Sequence, residues 1–525
     1  MRDVILTGFM GTGKTTVGRL LAARFGFDFV DTDEEIERRT GRSIAEIFSS
    51  DGEAAFRALE SQLLAELRDG SGRIIATGGG TLLEPANLKL LDSDQPVICL
   101  SCESGALLSR LEGTGHRPLL GSDPGTAITT LLEEREPIYR TFPQIDTTHL
   151  SPDDVANEIA AIIGLSEAAH FDIDESRTST VYFEAGGAAR VGQIMAAHDL
   201  RGTILVVTDD RVARARIADS VLKSLREAGY SASCHAIPSG ERYKSLDTLR
   251  ELYATCRDLA LDRSAIVVGV GGGVIGDMAG MLAATYLRGL RLVLIPTTLL
   301  AQVDASIGGK VGVDLDGAKN LVGAFHPASL VLIDPHLLYT LPAPLIRDGM
   351  AEVIKIAAVR SGSLLAMLQQ LDPCTVIDQP SVIRRAAQEK VHVVQQDPYE
   401  RGERMLLNFG HTIGHGLEAA SRYELSHGEA VSVGIAAEIQ FAVSRGWCRA
   451  ALSQSITGLL TRFGLPISAP GLDVEEVLSY MQQDKKRDGA MLRVAVPTQP
   501  GVGKVFDVTP AEIRLAVEDA VGVGP

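Results

Sequence analysis

The octapeptide Gly8 to Thr15, GFMGTGKT, constrains this chain more than any other stretch. It follows a short apolar run, Val4 to Leu6, and precedes an amphipathic segment, TVGRLLAARFG. Strand, glycine-rich loop and helix in that order define a P-loop. The glycines let backbone N–H groups turn inward around phosphate oxygens, and the helix N-terminus adds its partial positive charge. Gly11, Thr12, Gly13, Lys14, Thr15 and Thr16 are therefore expected around ATP. Lys14 would reach the β- and γ-phosphates and Thr15 would hold Mg²⁺. The expected fold of this region is α/β with a parallel sheet. The motif specifies a nucleoside triphosphate and leaves the acceptor open.

One P-loop domain does not use up the chain. Its 525 residues are too many for one core, so several domains are expected. The formal net charge of −17 argues against a general nucleic-acid or membrane-surface binder, which needs basic surface. Small anionic ligands need only a local basic pocket and remain compatible. No apolar run reaches the roughly 18 residues of a membrane span, and the N-terminus has no signal-peptide pattern; a cytoplasmic enzyme is expected. Cys99 and Cys102 form a lone CxxC within an apolar run, VICLSC, and read as buried strand residues rather than half of a zinc site.

A second informative stretch is Leu406 to Ala430, LLNFGHTIGHGLEAASRYELSHGEA. His411 and His415 stand four apart on a helical pattern, so both fall on one face and can meet one metal ion. His427 follows, and a glycine-containing turn is expected after it. Far upstream, Glu352 and Lys355 in GMAEVIKIA lie three apart on one helix face. Two histidines, one carboxylate and an open position make a catalytic zinc site. Read alone, Glu352 and Lys355 are a surface ion pair.

Within residues 1–165, Phe29 to Asp33 reads as a strand ending in the carboxylates Asp31 and Asp33, either a helix cap or a Mg²⁺ and hydroxyl site. Arg57, Gly78, Gly79, Gly80, Arg110, Arg117 and Arg135 follow, and Glu112 to Pro124 reads as a mobile loop that closes over phosphates. In order and spacing, GFMGTGKT, DTD, the FR of GEAAFRALE, TGGG, RPLL and REPIY resemble the shikimate kinases, small P-loop kinases of the nucleoside-monophosphate-kinase type. The resemblance implies Asp33 on the ring hydroxyls of shikimate and Arg57 and Arg135 on its carboxylate. It further implies Gly78 to Gly80 as the pocket floor, Arg117 in the lid and Arg110 near the base. Arginine forks suit a planar carboxylate.

Residues 166–178 are polar and acidic and read as a linker, with His170 solvated. Beyond them Ile204–Thr208, Cys234–Ile237, Ile266–Val270, Leu292–Pro296 and Leu330–Ile333 alternate with helical segments, the pattern of a parallel sheet over residues 179–335. GGGVIG after the third of these runs contains GxGxxG, but the ribose-binding acid of a standard dinucleotide fingerprint is missing. Asp277 by itself reads as a helix cap. Residues 336–525 turn mostly helical and carry the histidines.

The motifs SGERYKSL, VGVGGGVIGDMAG, YLRG, IPTTLLAQVDASIGGK, KNLVGAFHP, GMAEVIK, LLNFGHTIGHGLE and HGEAV together resemble 3-dehydroquinate synthase. That family joins an NAD-binding α/β domain to a helical metal- and substrate-binding domain, and converts 3-deoxy-D-arabino-heptulosonate 7-phosphate to 3-dehydroquinate and phosphate. The resemblance implies Glu352, His411 and His427 as ligands of Zn²⁺ or Co²⁺, with His415 a nearby active-site group rather than a ligand. It implies Asp304, Lys310, Asn320, Lys355, Lys390, Arg404, Asn408, His415 and Lys485 or Lys486 around the sugar phosphate. Asp209, Glu241, Lys244, Gly272, Gly273, Asp277, Thr297, Thr298, Lys310, Lys319 and Thr340 are implied around NAD. Lys14, Asp33, Arg117, Lys310, Lys355 and His415 are the catalytic candidates, and a homodimer through the synthase region is expected.

Val311, Ala305 and Ala318 stand where that family often has Thr, Ser and Gly. None is a metal ligand or charged contact, but they bear on which sugar phosphate fits. The alternatives are another sugar-phosphate cyclase fused to a cyclitol kinase, and a cyclase with a non-catalytic ATP-binding regulatory module. Retention of Lys14, Asp33, Arg57 and Arg135 argues against the latter.

Overall fold

A computed structural model describes residues 3–25, 27–68, 72–90, 95–111, 124–163, 167–174, 177–315, 318–422, 424–484 and 491–522. The chain forms two compact units, Met1–Leu165 and Ser166–Pro525. The expected lid loop with Arg117, and the tail of basic residues with Lys485 and Lys486, lie outside the described residues.

The first unit is built on five strands: β1 (Val4–Gly8), β2 (Asp28–Asp31), β3 (Arg73–Ala76), β4 (Val97–Ser101) and β5 (Gln144–Asp146). All pair in parallel, in the order β2-β3-β1-β4-β5. The central β1 is buried along its whole length, which is why VIL reads as a continuous apolar run. Cys99 lies in β4 and Cys102 just past it, both buried. Helix α1 (Lys14–Phe25) leaves the P-loop, α2 (Ile44–Leu67) carries Arg57 after a break at Gly52, and α3 (Pro124–Tyr139) carries Arg135. Gly8 ends β1 with φ 129°, and a Cβ there would lie 2.1 Å from the Leu100 carbonyl oxygen. Only glycine lets the phosphate loop start so close to β4.

The second unit opens with β6 (Glu167–Asp174) and β7 (Arg177–Phe183), then β8 (Ile204–Asp209), β9 (Ala232–Ile237), β10 (Ile266–Gly271), β11 (Arg291–Pro296), the hairpin β12 (Lys310–Leu315) and β13 (Ala318–Phe325), and β14 (Leu330–Ile333). Seven of these form one sheet in the order β6-β7-β14-β11-β10-β8-β9. Its strands run parallel except β6, which pairs antiparallel with β7. The stretch expected as a linker is thus largely an edge strand. Its place comes from backbone bonds to β7, which no side-chain periodicity announces. His170 stands opposite Thr180 in that pairing.

Helix α4 (Gly273–Thr285) packs on this sheet, and the helices α5 (Ala343–Arg360), α6 (Pro380–Gln396), α7 (His411–Ala420) and α8 (His427–Ser444) follow, with a late hairpin of β15 (Leu492–Gln499) and β16 (Val502–Val508). One hydrophobic core runs from sheet residues such as Val267 and Leu292 to helix residues such as Val353, Ile356 and Val433. The portions at 179–335 and 336–525 are therefore parts of one unit. Helix α8 is apolar nearly all round and buried accordingly. The glycine-containing turn expected after His427 is instead the first turn of α8.

Helices α7 and α8 meet at glycines. A Cβ on Gly434 would stand 1.9 Å from the Gly410 carbonyl oxygen. Gly434→Ala must push α7 off α8, at a cost of about 1–3 kcal/mol for overpacking. Trp447, the only tryptophan, stacks on Phe506 in this unit. Urea unfolding followed by its fluorescence is expected to show the midpoint lowered with an unchanged slope.

Candidate active sites

In the first unit the site forms at the carboxyl end of β1. The Lys14 ammonium donates to the carbonyls of Gly8 and Phe9, at 2.9 Å each, and so bridges the loop formed by Gly11, Thr12 and Gly13. Thr12 donates to Phe9 O at 2.8 Å. Thr16 is exposed beside it in the first turn of α1. The Thr15 hydroxyl donates to Asp31 Oδ2 at 2.6 Å. Asp31 also caps the helix Thr32–Thr40 by accepting from Asp33 N and Glu34 N. Asp31 is therefore the helix cap, and the same carboxylate accepts from the Thr15 hydroxyl.

The three glycines of TGGG meet the acceptor candidates. A Cβ on Gly78 would lie 2.8 Å from Asp33 Oδ1, and one on Gly80 would lie 2.5 Å from Arg57 Nη1. Arg135 donates to Gly79 O at 3.3 Å and stacks over the Phe9 ring. Asp33, Arg57 and Arg135 thus converge on one floor beside the P-loop. Arg57 is braced by the buried Glu60, whose Oε2 accepts from Nη1 at 2.6 Å while Oε1 accepts from Thr81. Glu60 was missed in the sequence reading, although it stands three residues after Arg57 on α2. Arg110 donates to Thr147 O at 2.6 Å and to Thr147 Oγ1 at 3.0 Å, which fixes it at the end of β5.

In the second unit the sheet's carboxyl edge gathers the nucleotide candidates. Asp209 ends β8 and caps the next helix through Arg211 N and Val212 N. Gly272 and Gly273 follow β10, and Gly272 is the N-cap of α4. Thr297 and Thr298 follow β11. The Thr298 hydroxyl accepts from Ala301 N at 3.2 Å, and Thr340 Oγ1 donates to Leu337 O at 2.8 Å. Asp277 does not cap α4: it pairs with Lys244 at 2.5 Å. Burial raises the Asp277 carboxyl, and Lys244 works against that rise. Lys319, on β13, bridges Glu241 at 3.4 Å and Glu418 at 2.8 Å. The Asn320 N–H donates to Asp314 at 2.9 Å.

The metal candidates meet where α5, α7 and α8 meet. His411 and His427 are the first residues of α7 and α8, and Glu352 lies in the middle of α5 at 0% exposure. Each histidine Nε2 stands 3.4 Å from Glu352 Oε1. Ligands about 2.1 Å from one tetrahedral ion lie about 3.4 Å apart, so the spacing suits a single divalent metal. Both Glu352 oxygens are buried: Oε2 lies against the Lys355 ammonium and Oε1 faces the two imidazoles. Among the described residues, Glu352, His411 and His427 form the one group close enough to share a metal. His415 is exposed beside them, its ring 5.2 Å from that of His411.

Second contacts fix the imidazoles. His411 Nδ1 faces Phe409 O at 3.2 Å, and His427 Nδ1 faces Glu418 Oε2 at 3.5 Å, so each Nε2 points to Glu352. Burial and the Lys355 charge hold His411 well below the usual histidine range. Burial pulls His427 down as well, but Glu352 and Glu418 outweigh it and carry it to about 10. Glu418 lies at about 2: burial raises it and His427 lowers it further. Glu418 was missed, although it sits seven residues after His411 on the same helix face.

A basic cluster adjoins the metal group. Lys355, 1% exposed, presses its ammonium against Glu352 and lies 3.9 Å from Asp304 Oδ2, while Lys390 contacts Asp304 Oδ1. The surface-pair reading of Glu352 and Lys355 therefore fails: both are buried. Arg404 donates to Gly308 O at 3.3 Å and Pro398 O at 2.6 Å. Glu400, also missed, contacts Lys310 and accepts from Asn408 at 2.8 Å. Burial, then the charges of Arg404 and Lys390, push Lys310 down to about 7, and the Asp304 charge opposes this.

Fold and sites define a two-part enzyme, a P-loop phosphotransferase unit followed by an α/β-plus-helical unit with a metal group. The shikimate kinase profile matches residues 10–163, the 3-dehydroquinate synthase N-terminal profile residues 234–348, and the synthase C-terminal profile residues 349–487. The bifunctional shikimate kinase/3-dehydroquinate synthase of Thermotoga maritima is 33% identical over 526 residues, spanning 98% of this chain and 100% of that one. The 3-dehydroquinate synthase of Nostoc punctiforme is 42% identical over 62% of this chain and 91% of its own. The 2-epi-5-epi-valiolone synthase of Streptomyces hygroscopicus subsp. jinggangensis, solved with NAD⁺ and Zn²⁺ bound, is 28% identical with TM-score 0.61, over 66% of this chain and 98% of that one. The chain belongs to the bifunctional shikimate kinase/3-dehydroquinate synthase family.

The protonation pattern has a measurable consequence. Without metal, His427 keeps its proton up to about 10, above its ordinary 6.5, while His411 is neutral and Glu352 ionised. Its ion pairs therefore stabilise the metal-free fold fully below pH 6.5 and are lost as pH rises through about 10. A metal must displace that proton. Zn²⁺ binding to metal-free protein near neutral pH is expected to release about one proton per ion, read by calorimetry in buffers of different ionisation enthalpy. Release of none is the contrary result.

Proposed function

We propose that the two activities of the family run on two separate residue sets. The first unit transfers the γ-phosphoryl group of ATP to shikimate, giving shikimate 3-phosphate and ADP. Lys14 and the N-terminus of α1 hold the triphosphate. Thr15, with Asp31 behind it, holds Mg²⁺, which neutralises the phosphate charge. Arg57 and Arg135 take the shikimate carboxylate as paired forks over the floor of Gly78 to Gly80. Asp33 accepts the proton of the attacking hydroxyl. Arg110 lies near the base, and Arg117 reaches across the transferring group.

The second unit converts 3-deoxy-D-arabino-heptulosonate 7-phosphate to 3-dehydroquinate and phosphate. Asp209, Glu241, Lys244, Gly272, Gly273, Asp277, Thr297, Thr298, Lys319 and Thr340 hold NAD along the sheet's carboxyl edge. NAD supplies a hydride acceptor whose hydride is returned, so the overall reaction has no net oxidation. Glu352, His411 and His427 hold Zn²⁺ or Co²⁺, which supplies Lewis acidity to a substrate hydroxyl. Lys310, Lys390, Arg404 and Lys485 or Lys486 hold the phosphate. Asp304, Asn320 and Asn408 orient the chain of hydroxyls. Lys355 keeps positive charge beside the ligand carboxylate, and His415 moves protons at the exposed side of the cluster. The protein acts in the cytoplasm, with a homodimer formed through the synthase region.

The observation that carries this reading is the Glu352–His411–His427 group with Lys355 and Lys390 beside it, on a chain that retains every described acceptor residue of the kinase. Both activities are assayed on one preparation. Lys14→Ala is expected to abolish shikimate-dependent ADP release, by at least about 100-fold, and to leave phosphate release from the heptulosonate intact. His427→Ala is expected to do the reverse. A chelator strong enough to strip a transition metal should silence only the second activity once Mg²⁺ is restored. Loss of both activities in either variant would refute separate sites.

A further inference from the structure

We infer that Asp348 and Glu438 are positioning residues that tie the three metal-binding helices together in a chain, α5 to α8 and α8 to α7. The inference rests on the metal site read above. Both histidine ligands occupy the first helical turn, where backbone N–H groups lack intrahelical partners. In each case a carboxylate from a different helix satisfies part of that need, beside α8's own capping box of Ser426 and Glu429. Helix α7 has no side-chain cap of its own, because its N-cap is Gly410. Instead Glu438, buried on α8, accepts from Gly410 N through Oε2 at 2.7 Å and from Ile413 N through Oε1 at 3.0 Å. These two bonds flank His411. On α8, Asp348 of α5 accepts from the Ser426 hydroxyl and from Gly428 N, both through Oδ1 and both at 2.6 Å. Those bonds flank His427.

Helix α5 contributes Glu352 and, four residues earlier on the same face, the carboxylate that holds α8. Helix α8 contributes His427 and, eleven residues later and again on the same face, the carboxylate that holds α7. Helix α7 contributes His411 and, seven residues later, Glu418, which faces His427 Nδ1 at 3.5 Å. Asp348 and Glu438 each fix the ligand-bearing end of a neighbouring helix, and Glu418 orients the His427 ring. Helix-end dipoles add to the attraction of the first two carboxylates. These links set the ligand spacing before any ion arrives, which preorganises the site and raises metal affinity.

The chemistry of the two carboxylates separates this from general stabilisation. Glu438 uses both oxygens and Asp348 only one. Glu438→Gln replaces one acceptor with a donor and breaks half of the α7 clamp, whereas Asp348→Asn keeps Oδ1. Wild type, Glu438→Gln, Asp348→Asn and Asp348→Ala are stripped of metal and titrated with Co²⁺ against a chelating dye, with the visible Co²⁺ spectrum recorded. Glu438→Gln and Asp348→Ala should weaken Co²⁺ binding about 10–100-fold and alter the spectrum, as loss of a group that orients a ligand does. Asp348→Asn should stay within about 3-fold of wild type, rescuing the alanine variant. Excess metal should restore turnover in Glu438→Gln. Wild-type affinity and spectrum in both Glu438→Gln and Asp348→Ala would overturn the positioning role, even if their urea midpoints fall. If Glu438→Gln does not fold, the Asp348 pair decides: equal affinity in Asn and Ala overturns the proposal. Absence of Co²⁺ binding by the wild type would overturn the metal site itself, and the positioning role with it.

Discussion

The second unit is organised around one buried charge. Glu352 is fully enclosed on α5, with Oε2 against the Lys355 ammonium and Oε1 3.4 Å from each imidazole Nε2. A carboxylate in that position costs several kcal/mol unless opposite charge is held against it. Burial alone would raise its pKa, yet the Lys355 ammonium and the two imidazoles hold it well below the usual carboxylate range. The arrangement is incomplete as a stabilising device, because Lys355 must also serve Asp304, which is shared in turn with Lys390. Lys310 and Arg404 lie close enough to Lys390 to feel its charge, so several cationic groups gather where an incoming phosphate could be held. Asp304 stays ionised because Lys355 and Lys390 together outweigh the effect of its burial.

The first unit solves a similar problem with a shorter reach. Its buried carboxylate, Glu60, is paired to Arg57 within the same helix and to Thr81 at the turn after TGGG. Arg57 is thereby aimed at Gly80, and Arg135 is fixed by Gly79 O and the Phe9 ring. The contacts that shape this site link the P-loop, α2, the TGGG turn and α3. Glycine runs and a single arginine-bearing helix turn describe much of it, which is why so much of it shows in the motifs.

That difference explains what was legible in the sequence. The P-loop is local: strand, loop and helix lie within residues 4–25, and their spacing dictates their geometry. The parallel strands of the second sheet were also legible, because burial on both faces makes them continuous apolar runs. Strand β6 was not, since an edge strand is held by backbone pairing that any polar sequence can make. In the metal site, HTIGH marked the place but not the ligand set. Helical spacing makes His415 as good a partner for His411 as His427 is, and only the packing of α8 against α7 chooses between them. Asp348, Glu400, Glu418 and Glu438 escaped notice for the same reason: each looks like an ordinary charged helix or turn residue until its distant partner is known.

Two metal-dependent reactions on one chain raise the question of how each site takes its own ion. The donor sets answer it. Thr15 and Asp31 offer oxygen alone, on an open loop where phosphate oxygens and water complete the shell; this suits Mg²⁺, which gives up water reluctantly. Glu352, His411 and His427 offer two nitrogens and one oxygen at tetrahedral spacing, which suits Zn²⁺ or Co²⁺ and fits an octahedral all-oxygen ion poorly. Charge reinforces the separation. Lys355 beside the ligand carboxylate weakens the purely electrostatic attraction on which a hard cation depends, and leaves the nitrogen donors to decide. Donor sets of these two kinds would separate a transition metal at the second site from Mg²⁺ at the first by bond type.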